Sequence, residues 1–424
     1  MQLENKKIKI AVIGLGYVGL PLAVLFSKKY NVIGFDSDKS RIKELNILND
    51  RTNEIDKIKL QEALNSNLEI TDNHNIISNC NIYIITVPTP IDTNKKPDLS
   101  YLLNATKETG NVLKKGDIVI FESTVYPGCT EEECVPILEK TSNLTYNIDF
   151  FCGYSPERIN PGDKKNTIEK IVKVTSGSSK YSADLVDNLY KSVISAGTHR
   201  VESIKIAEAS KAIENAQRDL NISFVNELSI IFDKMGIDTT DVLDAASTKW
   251  NFLNFRPGLV GGHCISVDPY YLTHKAKSLG YQPDVILSGR QVNENMADFV
   301  ANKLLNKMIE KSIEIVGSNI IILGITYKEN CPDTRNTKIP EVYNHLKEKG
   351  ARVSVYDPYA SFEDVKKDFN INMISNFEKY DGIILAVSHS DFKKIDFDKL
   401  KRNSNSVIFD VKSFLNKNIV DARL

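Results

Sequence analysis

The run Ile8-Lys9-Ile10-Ala11-Val12-Ile13-Gly14-Leu15-Gly16-Tyr17-Val18-Gly19-Leu20-Pro21 decides the fold. Residues 8–13 are a short β-branched stretch and read as a buried strand, and residues 20–29 read as a helix. Between them stands Gly-x-Gly-x-x-Gly, a turn whose glycines let a pyrophosphate approach the helix N-terminus with no Cβ in the way. A second strand over 31–35 ends on Asp36, an acid placed to accept hydrogen bonds from ribose hydroxyls and to repel a 2′-phosphate. The pattern predicts NAD, in preference to NADP, held at Gly14, Gly16, Tyr17, Val18, Gly19 and Asp36. Arg41 is the nearby cation that weakens the preference.

Outward from this stretch the α/β pattern continues. Residues 81–87 form a strand running into Pro88-Thr89-Pro90, residues 118–121 lead to Glu122-Ser123-Thr124, and residues 147–153 lead to Pro156-Glu157-Arg158. Ligands of open α/β sheets bind at such strand ends. Taken singly, Thr124 and Glu157 are ordinary loop residues. Residues 203–235 then read as one long helix stopped by Gly236, with Lys211, Asn215 and Arg218 on one face at i, i+4 and i+7. Ala207, Ala212, Ile213 and Ala216 predict that this face is packed rather than solvated. A further helix spans 290–311. From residue 319 four apolar runs, at 320–324, 352–356, 382–387 and 406–411, alternate with helical stretches and predict a second, smaller parallel sheet. Its first strand turns into Tyr327-Lys328-Glu329-Asn330 and Arg335, a polar, cationic loop suited to a nucleotide diphosphate.

The chemistry is expected at Arg256-Pro257-Gly258-Leu259-Val260-Gly261-Gly262-His263-Cys264, with Asp268 four residues on. Glycines let backbone N–H groups approach a ligand, and a thiolate beside such donors is activated. An oxyanion on an attacked carbonyl would find donors there too, and Asp268 could hold a hydrolytic water. A lone cysteine in such a turn is more often a small core residue. The 424-residue chain has room for two or three domains, and 42% hydrophobic and 26% charged residues are ordinary for a globular protein. A net charge of −1 argues against nucleic acid or an anionic membrane as partner. Six cysteines without a C-x-x-C pair point to a reducing cytoplasm and to no metal site. The apolar run 10–26 is broken by Gly14, Gly16, Gly19 and Pro21 and reads as neither leader nor membrane span.

With these motifs in order, the chain resembles the UDP-glucose/GDP-mannose dehydrogenase family over essentially its full length. The matching residues are Gly14-x-Gly16-x-x-Gly19, Thr86 to Pro90, Ser123-Thr124, Pro156-Glu157-Arg158, Lys211-x-x-x-Asn215, Gly261 to Cys264 with Asp268, and Thr326-Tyr327-Lys328 with Asp333-Thr334-Arg335. The resemblance implies two Rossmann-like domains joined by a helical one: an NAD-binding domain over 1–202, a helical domain for dimerisation and catalysis over 203–316, and a UDP-sugar-binding domain over 317–424. It implies a homodimer or higher oligomer and a four-electron oxidation of a sugar C6 alcohol using two NAD and one water. Cys264 would carry the thiohemiacetal and thioester, Lys211 and Asn215 would stabilise oxyanions, Asp268 and Thr124 would activate water, and Glu157 would be a further base. Cofactor contacts also fall to Pro88, Thr89, Ser123 and Arg335. Substrate contacts fall to Glu157, Arg158, Lys211, Asn215, Arg218, Gly261, Tyr327 and Lys328, and to Arg256 reaching across from a neighbouring subunit.

UDP-glucose dehydrogenases of the family carry an acid four residues after the position of Glu157, where this chain has Pro161. The stretches 156–162 and 262–271 look more like the branch oxidising UDP-N-acetylglucosamine or UDP-N-acetylgalactosamine for surface polysaccharides. The alternatives are UDP-glucose, UDP-N-acetylmannosamine or GDP-mannose as substrate, a two-electron dehydrogenase with a structural Cys264, and a silent nucleotide-sugar-binding protein.

Overall fold

The computed structural model describes residues 8–159, 165–262 and 265–424. They form two compact units, one drawn from 1–214 with 270–281 and the other from 215–269 with 282–424. No helix among the described residues is long and apolar enough to cross a membrane.

The first unit is built on eight strands: β1 (Lys9–Ile13), β2 (Asn31–Phe35), β3 (Leu68–Thr71), β4 (Ile82–Ile85), β5 (Ile118–Phe121), β6 (Phe151–Tyr154), β7 (Lys173–Gly177) and β8 (Thr198–Arg200). Their order is β3-β2-β1-β4-β5-β6-β7-β8, parallel except where β7 meets β6. Every residue of β4 and β5 is buried, as a sheet covered on both faces requires, so these strands read as unbroken apolar runs. Because the order leaves β1 in both directions, the crevice beyond β1 and β4 is the switch point where such sheets bind ligands. The strand expected over 147–153 starts only at Phe151, because Asn147 sits in the left-handed region at φ 60 and turns the chain first.

The second unit holds β9 (Asn319–Leu323), β10 (Arg352–Tyr356), β11 (Gly382–Leu385), β12 (Val407–Asp410) and β13 (Ala422–Arg423). They form an all-parallel sheet in the order β10-β9-β11-β12-β13. The long helix is Ile204–Met235, and Gly236 ends it at φ 69, a conformation glycine adopts without a Cβ clash. The helix expected over 290–311 is Asp284–Glu310, preceded by a separate helix Asp268–Ser278. Asp268 is the first residue of that helix. In this unit a Cβ on Gly289 would stand 2.6 Å from Leu220 Cδ2, so the two longest helices cross closely there. Beside that crossing Arg290 donates to Asp219 at 2.7 Å, and Asn293 joins Asp219 at 2.7 Å and Asn226 at 2.8 Å, all four being buried.

In the first unit Glu208, fully buried on the long helix, accepts hydrogen bonds from Gly128 N at 2.5 Å and Thr130 N at 2.9 Å. It thus ties the turn after Ser123-Thr124 to the helical turn that bears Lys211. Burial outweighs these donors and pushes its carboxyl up from 4.5 to about 7. The native state then keeps a proton that the unfolded chain releases above its ordinary value. The resulting stabilisation, on the order of 3 kcal/mol, is complete below the unfolded pKa and lost as pH rises through about 7. Between pH 5 and pH 8 the urea midpoint of the wild type should fall relative to that of Glu208→Gln, whose amide does not titrate; a difference constant with pH would contradict this. A second expectation concerns Gly19, where an added Cβ would lie 1.8 Å from Gly14 O and 2.4 Å from Thr86 Oγ1. Gly19→Ala should cost about 3 kcal/mol in a urea titration and abolish NAD binding in calorimetry.

Candidate active site

In the first unit the cofactor residues gather where β1 and β2 end. Gly14, at φ 94, donates its N–H to Phe35 O at 2.8 Å, and a Cβ there would press on Val87 Cγ1 at 3.2 Å. A Cβ on Gly16 would meet nothing within 4 Å. No side chain caps the helix Gly19–Ser27 at Val18, so its first-turn N–H groups have no side-chain acceptor there. Asp36 accepts from Leu15 N at 2.8 Å and from Asp38 N at 2.9 Å, one bond on each carboxylate oxygen, leaving each a second lone pair. Open space at Gly16, an uncapped helix start and a half-buried acid fit a pyrophosphate and a ribose, which is what NAD presents.

Arg41 does not take the place expected of it. Its guanidinium is 2% exposed, donating from Nε to Leu15 O at 2.9 Å and from Nη2 to Asp50 at 2.7 Å. It braces the glycine turn from behind. An exposed cation nearby is Arg51, paired with Asp38 at 2.6 Å.

The two following loops are stitched together in the same unit. Thr89 Oγ1 donates to Thr124 O at 2.7 Å, Ser123 Oγ donates to Val87 O at 2.6 Å, and Tyr271 donates to Thr89 O at 2.9 Å. Pro88 is exposed at this edge. Beneath them lies a cluster that sequence reasoning missed. Lys173, 2% exposed, reaches Glu122 and Glu157 at 2.7 Å each, and Tyr190 donates to Glu122. Burial works against the ammonium, but the two acids together raise its pKa above the ordinary lysine value. Glu157 also accepts from Arg158 N at 2.6 Å and Ile159 N at 2.7 Å. These three bonds fasten the loop that carries Glu157 and leave its carboxylate one acceptor position. Arg158 pairs with Glu214 at 2.8 Å. Lys211 is buried, with Ala207 and Ala212 fully buried beside it, whereas Ile213 is 55% exposed and lies off the packed face.

In the second unit Asn215 donates to Asp268 at 2.5 Å, and Asp268 is 2% exposed. Arg218 is exposed; the buried stripe of the long helix continues through Asp219 instead. Asn226 holds both backbone groups of Gly258, accepting its N–H at 2.8 Å and donating to its carbonyl at 3.0 Å. The steps 215, 219 and 226 were the available signal for this pair, since they keep one helical face. Gly261 and Gly262 pack on the Tyr327 side chain, and a Cβ on Gly262 would stand 2.9 Å from the Tyr327 ring. Gly262 N donates to Arg335 O at 3.1 Å and Asn336 donates to Gly262 O at 3.0 Å. A narrow cleft here is lined by Gly261, Thr326, Tyr327, Lys338 and Lys412. Lys328 lies next to Tyr327 on the same loop. Arg335 makes a two-pronged contact with Asp333, at 2.9 and 2.6 Å, and Arg256 pairs with Asp244 at 2.5 Å. His263 and Cys264, and the segment containing Pro161, lie outside the described residues.

Comparison with known proteins matches three consecutive family models of the UDP-glucose/GDP-mannose dehydrogenase family: the NAD binding domain over residues 8–194, the central domain over 205–295 and the UDP binding domain over 321–417. The chain is 54% identical to a UDP-N-acetyl-D-glucosamine 6-dehydrogenase of Pseudomonas aeruginosa over 99% of its length and 100% of that protein. It is 53% identical to one of Salmonella typhi over 99% of both. Among solved structures, the UDP-D-ManNAc dehydrogenase of Pyrococcus horikoshii superposes with a TM-score of 0.87 at 31% identity, covering 98% of each chain. The glycine turn with its aspartate and these full-length matches agree, and the chain belongs to the UDP-glucose/GDP-mannose dehydrogenase family as an NAD-dependent nucleotide-sugar dehydrogenase.

Proposed function

We propose that the chain oxidises the C6 hydroxyl of UDP-N-acetyl-D-glucosamine to the carboxylate, using Cys264 as nucleophile. The observation that carries this reading is the 54% identity, end to end, to the Pseudomonas aeruginosa enzyme of that name. The balance is one alcohol, two NAD and one water giving one carboxylate, two NADH and three protons. NAD, when bound, supplies the hydride acceptor for each oxidation. The Cys264 thiolate adds to the C6 aldehyde to give a thiohemiacetal, and oxidation of that adduct leaves a thioester. Water then opens the thioester and returns the thiol. Lys211 and Asn215 contribute an ammonium and an amide, donors suited to the oxyanion of each tetrahedral state. The bond from Asn215 supports Asp268 as the group that orients and deprotonates water, with Thr124 beside it in role. Glu157 serves as a positioning residue. Tyr327, Lys328 and the exposed Lys412 are assigned to the UDP portion.

UDP-N-acetyl-D-mannosamine is the second reading, supported by the Pyrococcus likeness, but at 31% identity that support is weaker. The UDP-N-acetylgalactosamine epimer and UDP-glucose are further arms of the same substrate panel. The division into 1–202, 203–316 and 317–424 stands as our assignment of NAD-binding, helical and UDP-sugar-binding parts. Five buried free cysteines among the described residues favour a reducing cytoplasm, where precursors of surface polysaccharide are made.

We assign a homodimer, with Arg256 serving the neighbouring copy's sugar. Its support is a stripe on the long helix: Ile206, Ile213, Phe224, Ile231 and Met235 are 44–61% exposed and recur on one face, at about 100° per residue within about 40° of one another. Phe224→Glu with Ile231→Glu should convert the dimer to a monomer in analytical ultracentrifugation and remove activity; an unchanged mass would place the interface elsewhere. The reaction itself is tested by counting NADH against UDP-N-acetylglucosamine consumed, with NAD in excess. Two per sugar is expected, and one would sink the thioester route. Cys264→Ser should lower acid formation by about 10³-fold or more.

A further inference from the structure

We infer that His389 is a positioning residue for the nucleotide-sugar site, holding both ends of the loop that carries Tyr327 and Lys328. The inference rests on the reading above, in which that loop binds the UDP portion. His389 follows β11 and is fully buried. Its Nδ1 accepts the N–H of Asn330 at 2.9 Å. A ring nitrogen that accepts a backbone N–H carries no proton of its own, so the proton resides on Nε2. Nε2 lies 3.0 Å from Asp357 Oδ2 and 3.1 Å from Thr326 Oγ1. One imidazole therefore touches residue 326 on one side of the loop and residue 330 on the other, with Tyr327 and Lys328 between.

The surroundings fix the ring and the loop ends. Tyr359 stacks on the imidazole at 4.8 Å and 29°, and Phe392 meets its edge at 5.2 Å and 76°. Thr326 Oγ1 donates a hydrogen bond to Lys328 O at 2.9 Å. Asn330, in the left-handed region at φ 55, also accepts from Ser390 N at 2.9 Å. Tyr327 in turn lies under the Gly261-Gly262 turn, so a displaced loop would move the tyrosine against the glycines. Cutting the link to Asn330 should thus be felt in sugar-nucleotide binding before it is felt elsewhere.

Two substitutions separate the ring's two nitrogens. Asparagine places an oxygen where Nδ1 stands and retains the acceptor for Asn330. Glutamine places an amide nitrogen near Nε2, retains the donor to Asp357 and leaves the Asn330 N–H without its acceptor. We expect His389→Gln to raise the KM for UDP-N-acetylglucosamine about tenfold with the KM for NAD unchanged, and His389→Asn to stay within about threefold of wild type. Equal losses in both variants, or a lowered melting temperature with an unchanged sugar-nucleotide KM, would reduce His389 to scaffold. Should His389→Gln not fold, Tyr359→Leu removes the ring stacked on the imidazole and loosens its hold on Asn330 N–H, and an unchanged sugar-nucleotide KM there overturns the inference. Tyr327→Ala and Lys328→Ala distinguish the underlying reading: if both leave that KM unchanged, the loop is not the UDP site. If they raise it while His389→Gln does not, only the positioning role is lost.

Discussion

Where the first strand of a parallel sheet ends and the chain turns, the next N–H points past the end of the neighbouring strand and needs an acceptor. Both sheets meet this constraint in the same way. Gly14 and Gly324, at φ 94 and 98, donate to Phe35 O and Tyr356 O at 2.8 Å each. The following N–H groups, of Leu15 and Ile325, reach the carboxylates of Asp36 and Asp357 at 2.8 and 2.7 Å. A Cβ on either glycine would strike the valine just beyond the adjacent strand, Val87 or Val387. The difference lies in what is left of the acid. Asp36 is half-buried with lone pairs to offer, whereas Asp357 is 3% exposed and accepts from four backbone N–H groups as well as His389. Burial alone would raise the Asp357 pKa, but the His389 ring and the N–H donors outweigh it and hold it below the usual carboxylate value. One device leaves an acid with open acceptor positions in the first sheet and anchors a loop in the second.

Buried ionisable groups recur under the loops of the candidate site. Lys173 sits beneath Ser123-Thr124 and Glu157, Glu208 beneath the Gly128 turn, and Arg290 with Asp219 beside the Asn226–Gly258 clamp. Such pairs are a poor source of net stability, because desolvation consumes most of what their attraction gives. What they provide is register. An apolar contact tolerates sliding by a fraction of an ångström, while a carboxylate receiving two N–H groups does not.

This separates what was legible in the sequence from what was not. The glycine turn, Asp36, the long helix with its Gly236 stop and four of the five strands of the second sheet follow from local pattern. Period, β-branching and a glycine's φ are properties of a few neighbouring residues. Arg41 misled because its fate depends on Asp50, whose approach is a matter of packing and not of spacing along β2. The partner of Glu157 was hidden for the same reason: Lys173 enters on an antiparallel strand that no apolar run announces. The likeness of the two strand-end devices was invisible because it rests on three residues per sheet set in otherwise unrelated text.

The long helix inverts the usual arrangement. On an ordinary surface helix the apolar stripe faces the core and the polar stripe faces water. Here Lys211, Asp219 and Asn226 are buried and Asn215 is half-buried, while Ile213, Phe224 and Ile231 are exposed. At about 100° per residue the two stripes lie about 190° apart, on opposite sides of the same cylinder. Neither stripe is stable in that setting alone. The inward one requires partners for each polar group, which Asp268, Arg290, Asn293 and Gly258 supply for Asn215, Asp219 and Asn226. The outward one is the stripe to which we assign the second copy of the proposed homodimer. A helix so constructed gains by being long and unbroken. Its rigidity sets the spacing of Lys211 and Asn215 one turn apart, and the same rigidity carries the apolar stripe along its length. A single inserted residue would turn everything after it by about 100° and uncouple the two faces at once.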